Sequence, residues 1–164
     1  PASGAPVAEF IMGITTGGAT DPALRFEKVE LPSTAGVAYS GVRVGPDGRL
    51  WASSIDGRFF RFDIAPDGTL GTPTIFTTLQ QANQGPRLLT GFDFDPASTP
   101  DDVILWAAHS YFAFEGAPDF SGKITRLAGA DLSDVVDVVT HLPRSVGDHS
   151  TNQPSFGPDG ALYI

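Results

Sequence analysis

The chain of 164 residues contains no cysteine. Disulfide bonds and metal sites built on thiolates are therefore excluded, because both require the cysteine sulfur. Apolar runs are short as well, and no window holds the roughly 18 apolar residues that a membrane-spanning helix needs. We therefore expect no membrane-embedded segment and no association with a membrane.

Basic residues are also scarce. The sequence has 10 Lys and Arg residues against 19 Asp and Glu residues, for a formal net charge of −9, and its cations form no run. Nucleic acids and anionic membrane surfaces repel such a charge on average, so neither is expected as a partner. The absence of cysteine is compatible with export. The first residues, PASGAPVAEF, fit a mature N-terminus or a cloning boundary.

Glycine and proline, in contrast, are abundant, with 19 and 14 copies. This composition suits many short strands joined by turns. One unit recurs: a strand, a Gly-Pro-Asp-Gly turn and a second strand, with the turn at residues 45–48 and again at 157–160. Residues 89–110 repeat the design with a longer turn. The turn prolines stand at positions 46, 96 and 158, which gives spacings of 50 and 62 residues.

These patterns predict individual elements. We predict strands over residues 24–31, 42–44, 49–54 and 58–64, with further strands in the segments GKITRLAG and VVDVVTHLP. Gly48 and Gly160 are expected to adopt positive φ, because that conformation closes the hairpin turn. For residues 131–136 a helical turn is the alternative to a strand.

Antiparallel units that recur every 40–60 residues are typical of the blades of a β-propeller, and stacked neighbours are needed to bury the faces of each blade. We predict an all-β fold, a β-propeller with four-stranded antiparallel blades. Residues 1–23 would form a leading arm or linker, and residues 24–164 about two and a half blades. A β-sandwich with similar turns is the alternative. Since closed propellers have at least four blades, we expect the C-terminal remainder in a longer parent or as a second chain.

Three segments in this order resemble a known family. They are LPSTAGVAYSGVRVGPDGRLWASSIDGRFFRFD, RLLTGFDFDPASTPDDVILWAAHS and LPRSVGDHSTNQPSFGPDGALYI. Together, over roughly residues 29–164, they resemble the N-terminal half of the glucose/sorbosone dehydrogenases, which include soluble sugar dehydrogenases dependent on pyrroloquinoline quinone (PQQ). The resemblance implies a six-bladed propeller, a secreted or periplasmic location and an aldose substrate.

A histidine at a fixed distance before Gly-Pro-Asp is the general base in active members of this family. The resemblance implies that role for His149, with Asp148 beside it. Oxidation of a sugar hemiacetal to a lactone removes a proton from the hydroxyl and a hydride from C1, and histidine is suited to accept the proton near neutral pH. The hydride requires an organic acceptor, for which the resemblance implies PQQ.

The resemblance also implies cofactor contacts at Gln84 and Gln153, although both depart from the family pattern. Gln84 precedes the segment LLTG at a different spacing, and Gln153 stands where the family has an arginine. In the family, basic residues from later blades hold the carboxylates of the cofactor. These departures leave open a non-catalytic propeller that binds a carbohydrate or a protein, or a scaffold that performs another reaction on a sugar polymer.

Acidic and histidine side chains elsewhere are expected to be structural. Asp93, Asp95, Asp101 and Asp102 offer the oxygen ligands that calcium prefers, and calcium is bound by many members of the family. No calcium-loop pattern surrounds them, however, so turn formation is the favoured interpretation and no metal ligand is assigned. His109 and His141 are predicted to be structural or solvated.

Aromatic residues form two groups. Trp51 and Trp106 occupy equivalent places in two copies of the unit and are predicted to pack between blades. Tyr111, Phe112, Phe114 and Phe120 lie in a long loop between strands. They would form a platform for stacking a sugar or, as the favoured alternative, the loop would pack beneath its own apolar side chains.

Overall fold

The computed structural model describes residues 28–144 and 149–164. The predicted leading arm over residues 1–23 and Asp148 lie outside this part of the chain. Helix within it is confined to a 3-10 turn, Pro32–Thr34, and one α-helix, α1, Thr78–Ala82. In the described ranges no helix is long and apolar enough to cross a membrane.

Two four-stranded antiparallel sheets and one strand pair form the rest. The first sheet contains β1 Tyr39–Val44, β2 Leu50–Ser54, β3 Phe59–Phe62 and β4 Thr74–Phe76. The second contains β5 Arg87–Phe94, β6 Leu105–Tyr111, β7 Gly122–Ala128 and β8 Asp134–Leu142. The pair is β9 Ser155–Phe156 and β10 Leu162–Tyr163. In each sheet every strand pairs with the next one along the chain, so the prediction of an all-β antiparallel fold is confirmed.

The predicted strands over 42–44, 49–54 and 58–64 correspond to β1, β2 and β3, with shifted ends. The strand predicted over 24–31 lies partly outside the described residues. In its described part, residues 28–31, only Val29 forms a β-bridge. No helical turn replaces the strand in the segment 131–136, because β8 begins at Asp134 in a run rich in β-branched valines. Helix α1 was not predicted.

One turn recurs, which explains the repeated Pro-Asp-Gly. In residues 45–48, the Gly48 N–H donates to the Gly45 carbonyl (3.0 Å) and the Gly45 N–H to the Arg49 carbonyl (2.8 Å). The same bonds form in residues 65–69 and 157–161. Gly48 and Gly160 have φ of 72° and 76°, so the prediction of positive φ is confirmed.

In three of the turns an aspartate also holds the aromatic residue of the strand that follows the turn. Three pairs do so: Trp51 Nε1 donates to Asp47 (3.0 Å), Trp106 Nε1 to Asp95 (2.7 Å) and the Tyr163 hydroxyl to Asp159 (2.9 Å). Trp51 is buried in the main core. Trp106 is half-buried and meets the ring of Phe156 edge-on, with centroids 5.8 Å apart. Both tryptophans therefore pack between consecutive sheets, as predicted.

The main core is built by the first and second sheets together. Its buried residues are Trp51, Phe59, Phe76, Leu79, Leu89, Phe92, Val103, Leu105, Ala107, Leu127 and Leu132. Trp51 stacks on Phe76 at 5.3 Å between centroids, and Phe59 meets Phe92 edge-on at 5.5 Å. A second cluster, formed by Leu50, Ala52, Phe60 and Phe62, alternates with the first along β2 and β3 and so occupies the opposite face of the first sheet.

The first strands of the three units approach one another closely. A Cβ on Gly41 would lie 3.6 Å from the Cα of Gly91, and a Cβ on Gly91 would lie 2.6 Å from the Cγ of Gln153. All three residues stand four positions before the start of their turn. Asp93 joins the same strands, because it pairs with Arg43 (3.2 Å) and accepts the backbone N–H of Phe156 (2.9 Å).

Candidate functional site

Three connections meet at one end of the second sheet. They are residues 83–86 before β5, residues 112–121 after β6 and the chain that follows β8. Because β5 and β6 are antiparallel, with Arg87 opposite Tyr111, the start of β5 and the end of β6 lie side by side here. We call this region the β5–β6 end. Gln84 and His149 both lie on connections that reach it.

A pocket of about 210 Å³ opens at the β5–β6 end. It is lined by Asn83, Gln84, Gly85, Pro86, Arg87, Tyr111 and Phe112. Helix α1 stops just before it in a Schellman motif, in which the Gly85 N–H donates to the Gln80 carbonyl (2.9 Å). Gln84 occupies the left-handed position of that motif, with φ of 57°. The cap therefore places Gln84, a predicted cofactor contact, in the pocket wall.

Arg87 is the charged residue of this pocket and was not identified from the sequence. Its side chain is buried at the start of β5. Nε donates to His109 Nδ1 (2.9 Å), and Nη2 donates to the Ser121 carbonyl (2.9 Å). Burial lowers the pKa of Arg87 below its ordinary value; the Asp137 charge acts in the opposite direction, and the Arg144 charge lowers the pKa further.

A chain of hydrogen bonds runs from Arg87 across the second sheet. Since His109 Nδ1 accepts from Arg87, the ring proton is on Nε2, which donates to Thr125 Oγ1 (2.7 Å). The Thr125 hydroxyl donates to Asp137 Oδ1 (2.6 Å), and Lys123 Nζ donates to Oδ2 (2.6 Å). Burial, followed by the Arg87 charge, lowers the pKa of His109 to about 3, so the imidazole is neutral. The predicted structural role of His109 is confirmed.

His149 is exposed and lies on the chain after β8. The next two residues fix this segment to the second sheet. Ser150 Oγ and Ser110 Oγ are 2.7 Å apart, and Thr90 Oγ1 donates to the Thr151 carbonyl (2.5 Å). Ser110 directly precedes Tyr111 of the pocket wall, so His149 is held beside the β5–β6 end. Asp148, its predicted partner, lies outside the described residues.

Arg144 connects the His149 segment with residues 112–121, the loop that carries Phe112, Phe114 and Phe120 and is called the aromatic loop below. Its side chain is buried, and Nη1 donates to Ser110 Oγ (3.1 Å) and to the Tyr111 carbonyl (2.5 Å). Nη2 donates to the Ala113 carbonyl, and the Arg144 N–H donates to the Asp119 carbonyl (2.6 Å). In the sequence, this role is marked only by a basic residue in a stretch with few charges.

The aromatic loop presents its rings to solvent. Exposure is 49% for Tyr111, 39% for Phe112, 57% for Phe114 and 63% for Phe120. The favoured prediction, a loop that packs beneath its own apolar side chains, is therefore wrong within the described residues. A surface of exposed rings beside the pocket can stack on the apolar face of a ligand.

Gln153 lies apart from this pocket. It covers Gly91 on β5, four residues beyond Arg87, which corresponds to about 13 Å at the rise of a strand. The pocket lining includes Gln84 but does not include Gln153. The structure thus does not bring the two predicted cofactor residues together.

The carboxylates singled out in the sequence serve turns and sheet contacts. Asp93 binds Arg43 and the Phe156 N–H, and Asp95 accepts the Ala97 N–H (2.8 Å) and Trp106 Nε1. Within residues 28–144 and 149–164, no group of three or more His, Asp or Glu side chains is placed to hold a metal ion. His141 is exposed on β8.

Comparisons of the chain with protein-family models, with curated proteins and with solved structures gave no match in any of the three. The likeness to glucose/sorbosone dehydrogenases accordingly remains a resemblance carried by three sequence segments. The chemistry of the β5–β6 end is what bears on function: two buried arginines, Arg87 and Arg144, an amide, exposed aromatic rings and an exposed histidine.

Proposed function

We propose that the chain contributes His149, as general base, to a sugar-oxidising site of the glucose/sorbosone dehydrogenase type. In this proposal the two four-stranded sheets are successive blades of a β-propeller, and β9 and β10 begin a third. The sequential strand order and the close approach of residues 41 and 91, on the first strands of their sheets, and residue 153, just before β9, support this arrangement. A secreted or periplasmic location accompanies the proposal.

The position of His149 is the observation that carries the proposal. The imidazole is exposed, and the Ser150–Ser110 hydrogen bond holds its segment at the β5–β6 end, where the pocket also opens. His149 is not among the residues that line the pocket, so a bound sugar must extend beyond the pocket wall to reach it. A base in this place is accessible to the hydroxyl of a bound sugar, which must come within roughly 3 Å for proton transfer. Loss of that proton accompanies departure of the hydride from C1.

The surrounding side chains suit a sugar. Tyr111 and Phe112 offer ring faces to the C–H groups of a pyranose. The Gln84 amide can both donate to and accept from its hydroxyls. The Asn83 amide is already engaged, because Nδ2 donates to the Leu79 carbonyl (2.9 Å) and Oδ1 accepts from Lys123 Nζ (3.2 Å). Pockets that bind small molecules combine apolar surface with a few polar groups in this manner.

PQQ, when bound, would accept the hydride. Gln84 fits one end of such a quinone, since an amide can donate to a carbonyl oxygen. The pocket volume of about 210 Å³ is below the roughly 300 Å³ typical for drug-sized ligands. The pocket would therefore hold only part of the cofactor. Calcium stays a prediction, with ligands from outside the described residues.

A non-catalytic carbohydrate- or protein-binding propeller is the second candidate. It is favoured by Gln153, which stands at the position of a family arginine and packs on Gly91 instead of lining the pocket. If the chain lacks the cation that the cofactor needs at this position, the aromatic rings and the pocket would still bind a sugar.

Dye reduction separates the two candidates. The full chain is incubated with PQQ, calcium and a panel of aldoses, and reduction of an electron-accepting dye is followed in parallel with calorimetric binding of the same sugars. The proposed oxidation predicts dye reduction that requires both sugar and quinone. Sugar binding without any dye reduction would instead support the binding module.

A further inference from the structure

The positive charge of Arg87 has no direct anionic partner in the described part of the chain. Its hydrogen bonds go to neutral acceptors, the His109 imidazole and the Ser121 carbonyl. Among the described residues it forms no ion pair with a carboxylate. Nη1 makes no hydrogen bond there. The N–H groups of Nη1 are thus available to a ligand in the pocket.

The nearby carboxylates are engaged elsewhere. Asp137 is separated from Arg87 by His109 and Thr125, and it is paired with Lys123 at 2.6 Å. Asp56, whose carbonyl accepts the Arg87 N–H, directs its carboxylate to Arg58 at 2.9 Å. The pocket is therefore locally positive although the chain carries a net charge of −9.

Burial of a cation that has no direct anionic partner is costly, because the charge loses its hydration. Such groups in clefts are typical of sites where a ligand supplies the opposite charge. A carboxylate is the anion whose planar shape matches a guanidinium. The pocket volume of about 210 Å³ and the exposed rings of Tyr111 and Phe112 limit the remainder of the ligand to something the size of a monosaccharide.

We propose that this pocket binds an acidic sugar, a uronate, with its carboxylate on Arg87 and its ring against Tyr111 and Phe112. The inference rests on the proposed function for the sugar class and adds the charge. It makes Arg87 a specificity-determining residue: neutral aldoses would leave its guanidinium unpaired, whereas a uronate would pair with it.

Calorimetry on the full chain tests the charge directly. Three ligands of similar shape are compared: glucuronate, its neutral amide glucuronamide, and glucose. We expect glucuronate to bind at least about tenfold more tightly than glucuronamide, as charged hydrogen bonds exceed neutral ones by about this much. The preference should shrink as salt is raised. Equal affinities, or no binding of glucuronate, would overturn the inference.

Substitutions assign the preference to a residue. Arg87→Gln should abolish the preference for glucuronate over glucuronamide, whereas Arg126→Gln, which removes a surface ion pair with Asp134, should preserve it. Retention of the preference in Arg87→Gln would contradict the proposal. Should Arg87→Gln fail to fold, Phe112→Ala provides a second test at an exposed position. It should lower the affinity for all three sugars by the same factor, and unchanged affinities in that variant would contradict the assigned pocket.

A competition experiment distinguishes the sugar carboxylate from those of the quinone. If added PQQ displaces glucuronate, the carboxylate site belongs to the cofactor and the inference fails. Preferential glucuronate binding without dye reduction by any sugar would support the inference and contradict the proposed oxidation. Dye reduction with neutral aldoses, without binding of glucuronate, would give the converse result.

Discussion

The first and second sheets share a strand order and a turn but differ in one row of side chains that crosses their strands. In the second sheet this row contains His109, Thr125 and Asp137. Trp51 in β2 and Trp106 in β6 stand at equivalent places, each opposite an arginine of the next strand. Counting from these tryptophans, His109 corresponds to Ser54. By the same register Thr125 corresponds to Phe60, and Asp137 to Ile75. Phe60 and Ile75 of the first sheet are thus replaced by Thr125 and Asp137, two members of a hydrogen-bonded polar row in the second.

The difference coincides with the location of the pocket. Counted back four residues from Gly41 and from Gly91, Val37 of the first unit stands at the place of Arg87, and it packs against the second cluster. In the second sheet Arg87 contacts only neutral partners among the described residues and lines the pocket. The same scaffold therefore serves packing in one copy and keeps a cation available to a ligand in the other.

Removal of either of the two equivalent tryptophans should have the largest effect on stability, and the loss should differ between the two sheets. Trp51→Ala should lower the free energy of unfolding by about 3–5 kcal/mol, because it empties a fully buried site stacked on Phe76. Trp106→Ala should cost roughly half as much, since the ring is half-buried. Urea unfolding followed by circular dichroism measures both, and equal losses would contradict the asymmetry.

The polar row should give the second sheet a pH dependence between pH 7 and 5 that the first sheet, which contains no histidine, lacks. The unfolded chain protonates histidine near pH 6.5, whereas folded His109 does so at about 3. Stability is therefore complete above about pH 6.5 and is lost as the pH falls towards 3, with a slope of at most about 1.4 kcal/mol per pH unit.

His109→Gln should flatten this dependence between pH 7 and 5, where the unfolded state of the wild type gains a proton that the folded state does not bind. His141→Gln, at an exposed position on β8, is the matched control and should keep the wild-type slope. The measurement is urea unfolding at several pH values. An unchanged slope in His109→Gln would show that His109 is not buried in the neutral form.

Substitution of the turn glycines should have the smallest effect on stability, and it tests the turn that the units share. Gly48→Val and Gly160→Val should each cost about 1–2 kcal/mol, because positive φ strains a β-branched residue even where there is space for the side chain. Gly71→Val, where φ is not in the left-handed region, is the control. Thermal unfolding compares the three, and an effect at Gly71 as large as at Gly48 would refute backbone strain as the cause.

The turns and strands were predictable because their causes are local. Pro46, Asp47 and Gly48 satisfy one turn within four residues, and the same letters recur at 158–160. Helix α1 escaped prediction because five residues carry too little periodicity. Its end depends on Gln84 in a left-handed conformation that glycine usually adopts.

The pocket, in contrast, depends on distant contacts. Arg87 binds His109, 22 residues away, and Ser121, 34 residues away, while Arg144 reaches back 34 residues to Ser110. Nothing next to these arginines in the sequence signals their burial, so neither was singled out. His149 was found through a family pattern in its own segment, and its nearness to the pocket became visible only with the Ser150–Ser110 contact.

The rate of dye reduction by His149→Ala tests the central claim most directly. With PQQ and the best sugar of the panel, removal of the general base should lower turnover by about a hundredfold to ten-thousandfold while circular dichroism stays unchanged. His141→Ala, the matched control at an exposed histidine of β8, should retain wild-type turnover. Activity of His149→Ala within about threefold of the wild type would contradict the assignment of His149 as the base.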